Sequence, residues 1–449
     1  MTRVGLAPPL RRTALLALFL AAASCNGRSS DSALSKSEDE KAIPNVPPPP
    51  ENGPKLGSIA NITPILERPT SSARTIGTLH AGALIARSAT PVRKSKDCDG
   101  GYYAVFPRGY VCMNQGATLE LSHPTLAAMA IQPARDQALP YTYGRARIES
   151  ALFERDASHD DAVREVQKLP RGSAMAIVGS WQARIEGGEP ERLGLLTNGR
   201  FARARDLEAT RGSTFSGYEL ADGRELPVAF VLKRGVSLFK PDGERFSKAE
   251  PLDYHATVPL SGRFRTVSGT KLWASENERW ARDQDVTVVH KRTRFPDFVR
   301  DGQRWLDVSV ILGTVVAYEG KKPIFVTLAS TGRDRLGDAS VTDGQNAVTK
   351  LGTFEVVAKH VTLLGAAPER AGERYALFDL PWVLELSSGQ ALHGSYWHDR
   401  FGIEHGPGDI TLSPEDAHRL FEWATPALPK AWHSVVADSN DKTFVLVHK

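Results

Sequence analysis

Cysteine is scarce in this chain: 449 residues carry only Cys25, Cys98 and Cys112. None of them lies in the stretch richest in chemistry, Ala391–Ala417, ALHGSYWHDRFGIEHGPGDITLSPEDA. No thiol is therefore available there, and no serine in it stands in an obvious nucleophile setting. A one-sided charge is also missing. Lys and Arg number 56 against 52 Asp and Glu, a net +4, and they are spread rather than blocked. That leaves no basic footprint for a nucleic-acid partner. The apolar run at the N-terminus, Thr13–Ala23, is too short to cross a bilayer, which takes about 20 residues. What remains is ordinary globular material, 41% hydrophobic and 24% charged, long enough for two to four domains with real cores.

Arg3, Arg11 and Arg12 precede that short apolar run, and small residues then lead into Cys25 in AAASCNG. A basic start, a short apolar core and small residues read as a secretory signal over 1–24. The segment resembles a bacterial lipoprotein signal, although Ala22 stands where such signals usually carry Leu. The resemblance implies acylation of Cys25 and export to the cell envelope. Each buried methylene would contribute about 0.8 kcal/mol to a lipid anchor. Asn26 rather than Asp follows the cysteine; by the same resemblance this favours the outer membrane, facing the periplasm. In an exported chain the remaining pair, Cys98 and Cys112, is most simply a disulfide. Closing a loop of that length stabilises by about 3 kcal/mol in the chain-entropy model.

Residues 25–57 are rich in Ser, Asp, Glu and Pro and end in IPNVPPPPENGP, a composition that cannot fold and acts as a semi-rigid spacer. Residues 58–120 read as short strands split by turns, a small β-barrel. Their GTLHAGALI and GGYYAVFPRGYVC segments resemble bacterial SH3 domains. Residues 121–303 read as a β-rich accessory region. It holds one expected helix at Asp160–Lys168, where Ala162, Val163 and Val166 share a face, and another SH3-like unit near 260–300. No internal repeat stands out. From Arg304 the pattern sharpens. WLDVSVILGTVVAYEGKKPIFVTLASTG predicts two strands around a turn at Glu319–Pro323, with Leu306, Val308, Val310 and Leu312 on one face. Ser413 as N-cap, Pro414 at the first helical position and Asp416 at the third predict a closing helix that buries Ala417, Leu420, Phe421 and Ala424. Residues 433–449 read as a C-terminal tail. The fold class is mainly β.

Residues 304–432 resemble the catalytic domain of the L,D-transpeptidases, the YkuD-type family. The pieces occur in order: WLDVSV and VVAYEG, TLASTG, TKLGTFEV, DLPWVLEL, ALHGSYWHDRFG and ITLSPEDA. The resemblance implies a β-rich cradle with a short helix, and peptidoglycan stem peptides or wall enzymes as partners. In the family, a Ser-His-Gly-Cys motif carries the chemistry. The thiolate attacks a carbonyl of the donor stem and expels D-alanine, an amine then resolves the acyl-enzyme, and the histidine assists both proton transfers. Without gaps, this sequence puts Gly406 at the serine, Pro407 at the histidine, Gly408 at the glycine and Asp409 at the cysteine. Shifting the register to place His405-Gly406 on the family's His-Gly puts Pro407 at the cysteine and breaks the later match. Neither register supplies a thiol.

A carboxylate with a pKa near 4 is a poor nucleophile toward an amide, and its anhydride product lies uphill. The expected reading is thus a peptidoglycan-associated domain without transferase activity. His393 and Gly394 match the family's donor-pocket His-Gly, and Tyr396, Trp397 and His398 follow; they are either a retained peptide cradle or packed residues that hold the fold. Two alternatives stand beside this. One is an active transpeptidase with a non-standard nucleophile. The other is a metal-dependent peptidase using ligands among His393, His398, Asp399, His405 and Asp409, whose spacings match no zinc motif. No cofactor and no metal are expected.

Overall fold

The computed structural model describes residues 46–332, 348–364, 375–405, 408–438 and 442–449. The signal segment with Cys25 and most of the Pro-rich spacer lie outside these residues, as do Gly406 and Pro407. The described chain is mainly β, with helices at Pro124–Ala128 and Pro414–Trp423.

In the N-terminal module, alternation sends Leu56, Ile65, Leu79, Ile85, Val105 and Val111 into one core. Its first strand, Lys55–Ser58, starts inside the segment read as spacer and pairs with Leu84–Ala86 and Ala117–Thr118. Cys98 and Cys112 form the expected disulfide, Cα atoms 5.9 Å apart, across the paired strands Cys98–Ala104 and Tyr110–Cys112. The module does not close on itself. Strand Thr75–Leu79 pairs with Ser434–Val436 near the C-terminus, and Trp432 enters the module's core fully buried. Gly77 permits this approach, since a Cβ there would lie 2.3 Å from the Trp432 ring.

The helix expected at Asp160–Lys168 is a strand. Ala162–Leu169 pairs antiparallel with Ser150–Arg155 and meets Ala174–Ile185 in parallel. A register shift between Leu152 and Phe153 leaves Val166 without an opposite number, so the two-residue alternation that marks a strand is broken there.

Residues 142–210 and 228–289 form two copies of one topology. Each is a seven-stranded sheet in the same spatial order, and each has a 3-10 turn (Ala204–Asp206, Asp283–Asp285) before its last strand. The hairpin ends align without gaps: Leu193–Leu207 on Leu272–Val286, with Leu, Asn, Arg, Ala, Arg and Asp shared at six positions. Strand registers agree as well. Leu193 faces Arg203 as Leu272 faces Arg282, and Leu207 faces Ala146 as Val286 faces Val231. The repeat that the sequence conceals is therefore a repeat of pairing.

In the C-terminal domain, the expected hairpin is a three-stranded meander: Arg304–Ser309, Thr314–Glu319 and Lys322–Leu328. The turn at 319–323 is found where expected. A second turn removes Val310 and Leu312 from the strand, and Leu312 is exposed. The segment 433–449 is not a free tail, because Phe444–His448 runs parallel to Arg304–Ser309 and antiparallel to Gly352–Glu355 in the middle of the sheet. The closing helix forms as expected: the Ser413 hydroxyl accepts the Asp416 N–H at 3.2 Å, and Ala417, Leu420 and Phe421 pack against Trp382 and Leu384.

Candidate functional site

Strand Ala391–Gly394 lies antiparallel to Leu380–Leu386 and parallel to Ile410–Leu412, with Leu392 opposite Ile410, His393 opposite Thr411 and Gly394 opposite Leu412. Leu392, Ile410 and Leu412 enter the core under the helix. Strand alternation therefore turns His393, Asp409 and Thr411 to the other face. That face is not open to solvent: His393 is 3% exposed, Asp409 5% and Thr411 3%.

Asp409, the residue that the sequence resemblance sets against the family's cysteine, is held inside this face. Its Oδ1 accepts the Ala391 N–H at 2.9 Å, and its Oδ2 lies 3.8 Å from His393 Nε2. The other His393 nitrogen lies 3.1 Å from the Gly394 carbonyl oxygen. Gly408 has φ +94°, which other residues rarely adopt, and its carbonyl oxygen accepts hydrogen bonds from Thr349 Oγ1 (2.9 Å) and Gln390 Nε2 (2.8 Å). Thr349 Oγ1 also accepts the Gly332 N–H. The loop entering Asp409 is thus fixed by side chains from two other segments. Thr349 lies within a matched motif and Gln390 beside one, yet nothing in the sequence pattern marks either as a loop clamp.

The aromatic run is held from both sides. Tyr396 is 1% exposed, its hydroxyl donates to Phe378 O at 2.6 Å, and its ring lies 4.0 Å from Tyr143 of the first repeat copy. On the other side, His255 of the second copy bonds Phe401 O at 3.2 Å, and Phe215 stacks on the Phe401 ring. Trp397 and His398 keep partial exposure. His398 Nδ1 accepts the Arg400 N–H, and its ring meets His405 edge-on at 4.5 Å. Burial, then the nearby His405, His393 and Arg400, hold its imidazole down to about 3, so it is neutral at physiological pH. Asp399 is exposed.

The chemistry this permits is narrow. Both cysteines among the described residues are in the disulfide. The hydroxyls of Ser395 and Thr411 are buried near His393 without a hydrogen-bond partner among the described residues. A hydroxyl nucleophile needs a base within about 3 Å, and neither histidine nitrogen is bonded to one. No three of His, Cys, Asp and Glu among the described residues converge as metal ligands.

No protein-family model matches the chain. No curated protein matches it either. Solved structures similar to part of it are L,D-transpeptidases. That of Xylanimonas cellulosilytica is 18% identical over 34% of this chain and 65% of its own, with a TM-score of 0.23. That of Stackebrandtia nassauensis is 19% identical over 35% and 62%, TM-score 0.22. The catalytic domain from E. faecium is 18% identical over 33% and 98%, TM-score 0.24. This chain spans less than two thirds of the first two. Identities and scores this low assign no family and no activity.

Proposed function

We propose that this is an exported cell-envelope lipoprotein, anchored through an acylated Cys25, whose C-terminal domain binds peptidoglycan without catalysing acyl transfer. The ordered motifs from WLDVSV to ITLSPEDA support the peptidoglycan assignment. The single observation that carries the loss of transfer is Asp409. It stands at the nucleophile position, is 5% exposed, and has an oxygen engaged by the Ala391 N–H. Attack on an amide carbonyl by this carboxylate would form an anhydride while expelling an amine, a step against the ordinary order of leaving groups. Pro407 at the family's histidine has no titratable group, so the base is absent as well.

The test uses the mature lipoprotein in detergent with a labelled tetrapeptide stem and, separately, with isolated sacculi. Co-sedimentation with sacculi, without D-alanine release or a covalent adduct, is the expected result. Release that a chelator leaves intact would replace this reading with a working transpeptidase; release that a chelator abolishes would replace it with a metal peptidase. Absence of both binding and turnover would end the peptidoglycan assignment.

A further inference from the structure

The two repeat copies differ in one respect that points to a ligand. In the first copy, the segment Ala376–Asp379 of the C-terminal domain docks in extended form through an isolated parallel bridge between Leu377 and Ala174. Ala174 donates its N–H to Ala376 O, and Phe378 donates its own to Ala174 O, both at 2.9 Å. Phe378 is buried in a cluster with Leu152, Leu169, Met175 and Leu196. The carboxylate of Asp379 then accepts from Thr197 Oγ1 at 2.5 Å and from the Ala176 N–H at 3.2 Å.

The shared registers place each of these partners in the second copy. Leu152, Leu169, Met175 and Leu196 correspond to Leu238, Leu252, Val258 and Ser275. Those four residues line an open cavity of about 280 Å³. Leu152 and Leu169 are fully buried in the occupied copy, whereas Leu238 and Leu252 keep partial exposure in the vacant one. Ala174 corresponds to Thr257, opposite Phe230 as Ala174 is opposite Arg145. Antiparallel alternation directs the backbone N–H and C=O of Thr257 away from Val228–Val231, as it does for Ala174. The backbone edge and the apolar socket are thus both repeated.

The polar end of the socket is not repeated. The donor Thr197 becomes Glu276, and the donor Ala176 becomes Pro259, which has no N–H. Gln167, which accepts from Arg200, becomes Glu250, whose carboxylate takes both bonds from Arg279 Nε at 2.9 and 3.0 Å. Glu276 is exposed and has no cationic partner among the described residues. Every donor that holds an anion in the first copy is gone, and a free carboxylate stands in place of one.

We infer that the second copy is a docking site for an extended peptide of a partner, carrying a bulky apolar side chain followed by a cationic one. The apolar side chain fills the socket of Leu238, Leu252 and Val258, its backbone pairs with Thr257, and the cation meets Glu276. This site is separate from the Asp409 corner, and its test does not depend on peptidoglycan binding.

Two blocked, fluorescein-labelled pentapeptides serve as probes in anisotropy titrations of the full chain: Ala-Leu-Phe-Asp-Leu, the docked segment itself, and Ala-Leu-Phe-Lys-Leu. The Lys peptide is expected to bind saturably and on the order of tenfold more tightly than the Asp peptide, with the difference shrinking as salt rises. Glu276→Lys, an exposed change that leaves the fold intact, is expected to reverse the preference. Equal affinities, a tighter Asp peptide, an unchanged ratio in Glu276→Lys, or no saturation at millimolar peptide would each overturn the inference.

Discussion

Asp379 joins the first repeat copy to the C-terminal domain through a carboxylate that is 2% exposed, and its ionisation sets a pH dependence that can be worked out. Burial raises its pKa from 3.8 to about 6, partly offset by the bonds from Thr197 and Ala176. Two units at about 1.36 kcal/mol each make the ionised form cost about 3 kcal/mol of folding free energy. The sign follows from proton binding. The folded pKa lies above the unfolded one, so the folded state holds the extra proton between about 4 and 6. Stability from this group is fully present below the unfolded pKa and falls as pH rises through 6, by about 1.5 kcal/mol between pH 5 and pH 8. Asp379→Asn removes the titration while keeping the contacts, because the amide oxygen can face the Ala176 N–H and the amide nitrogen can donate to the Thr197 hydroxyl. Asn also tolerates the left-handed backbone at this position, φ +55°. Asp416 titrates in the same range, about 6, so the measurement is a difference. Urea unfolding of wild type and Asp379→Asn at pH 5 and pH 8 cancels every shared group. The variant is expected to gain stability over wild type by about 1.5 kcal/mol more at pH 8 than at pH 5. A gap independent of pH would refute the placement of an ionised carboxylate in this seam.

Three further outcomes follow from contacts already described. Gly408→Ala places a Cβ 2.8 Å from Gln390 Nε2 and 3.1 Å from Val348 O at φ +94°; it is expected to cost about 2 kcal/mol or more in thermal unfolding. Trp432→Ala empties the seam between the N-terminal module and the C-terminal domain. It is expected to cost about 3–5 kcal/mol and to release residues 46–120 to limited proteolysis before the rest; unchanged protease resistance would contradict the shared core. On the proposed reading, the pair Pro407→His and Asp409→Cys supplies the missing thiol beside His393. A thioester to a stem peptide is the expected mass-spectrometric product, and a folded but silent double variant would mean that the surrounding cradle no longer admits a donor.

Much of the C-terminal domain is legible because its signals are local. The N-cap at Ser413 and the turn at 319–323 each lie within a few residues of what they control, and the Cys98–Cys112 pair of the N-terminal module closes a loop of only 14 residues. The elements misread depend on distant partners. Phe444–His448 becomes a central strand only because Arg304–Ser309 and Gly352–Glu355 leave a slot for it, and no feature within 433–449 announces that slot. Ala162–Leu169 reads as helical because the bulge at Val166 spaces its inward residues unevenly. The duplication is faint in the sequence for a related reason: the matching Leu193–Leu207 and Leu272–Val286 segments cover only the last hairpins, while the loops before them differ in length.

The stretch Ala391–Ala417 reads as a site wall because aromatics, histidines and glycines crowd such walls, but the same residue types crowd a junction. Tyr396 and Phe401 are five residues apart and face different repeat copies, Tyr143 of the first on one side and His255 of the second on the other, with Phe215 of the connecting segment stacked on Phe401. A segment clamped by two modules needs large rings for area, hydroxyls and imidazoles to satisfy the seam's backbone carbonyls, and glycines where chains touch. Composition alone cannot separate that demand from the demands of a binding site; exposure separates them. His393, Tyr396 and Asp409 face the interior. Trp397 and His398 retain exposed edges, so on the proposed reading these two side chains, one apolar and one neutral, are the ones of the run that a stem peptide would touch.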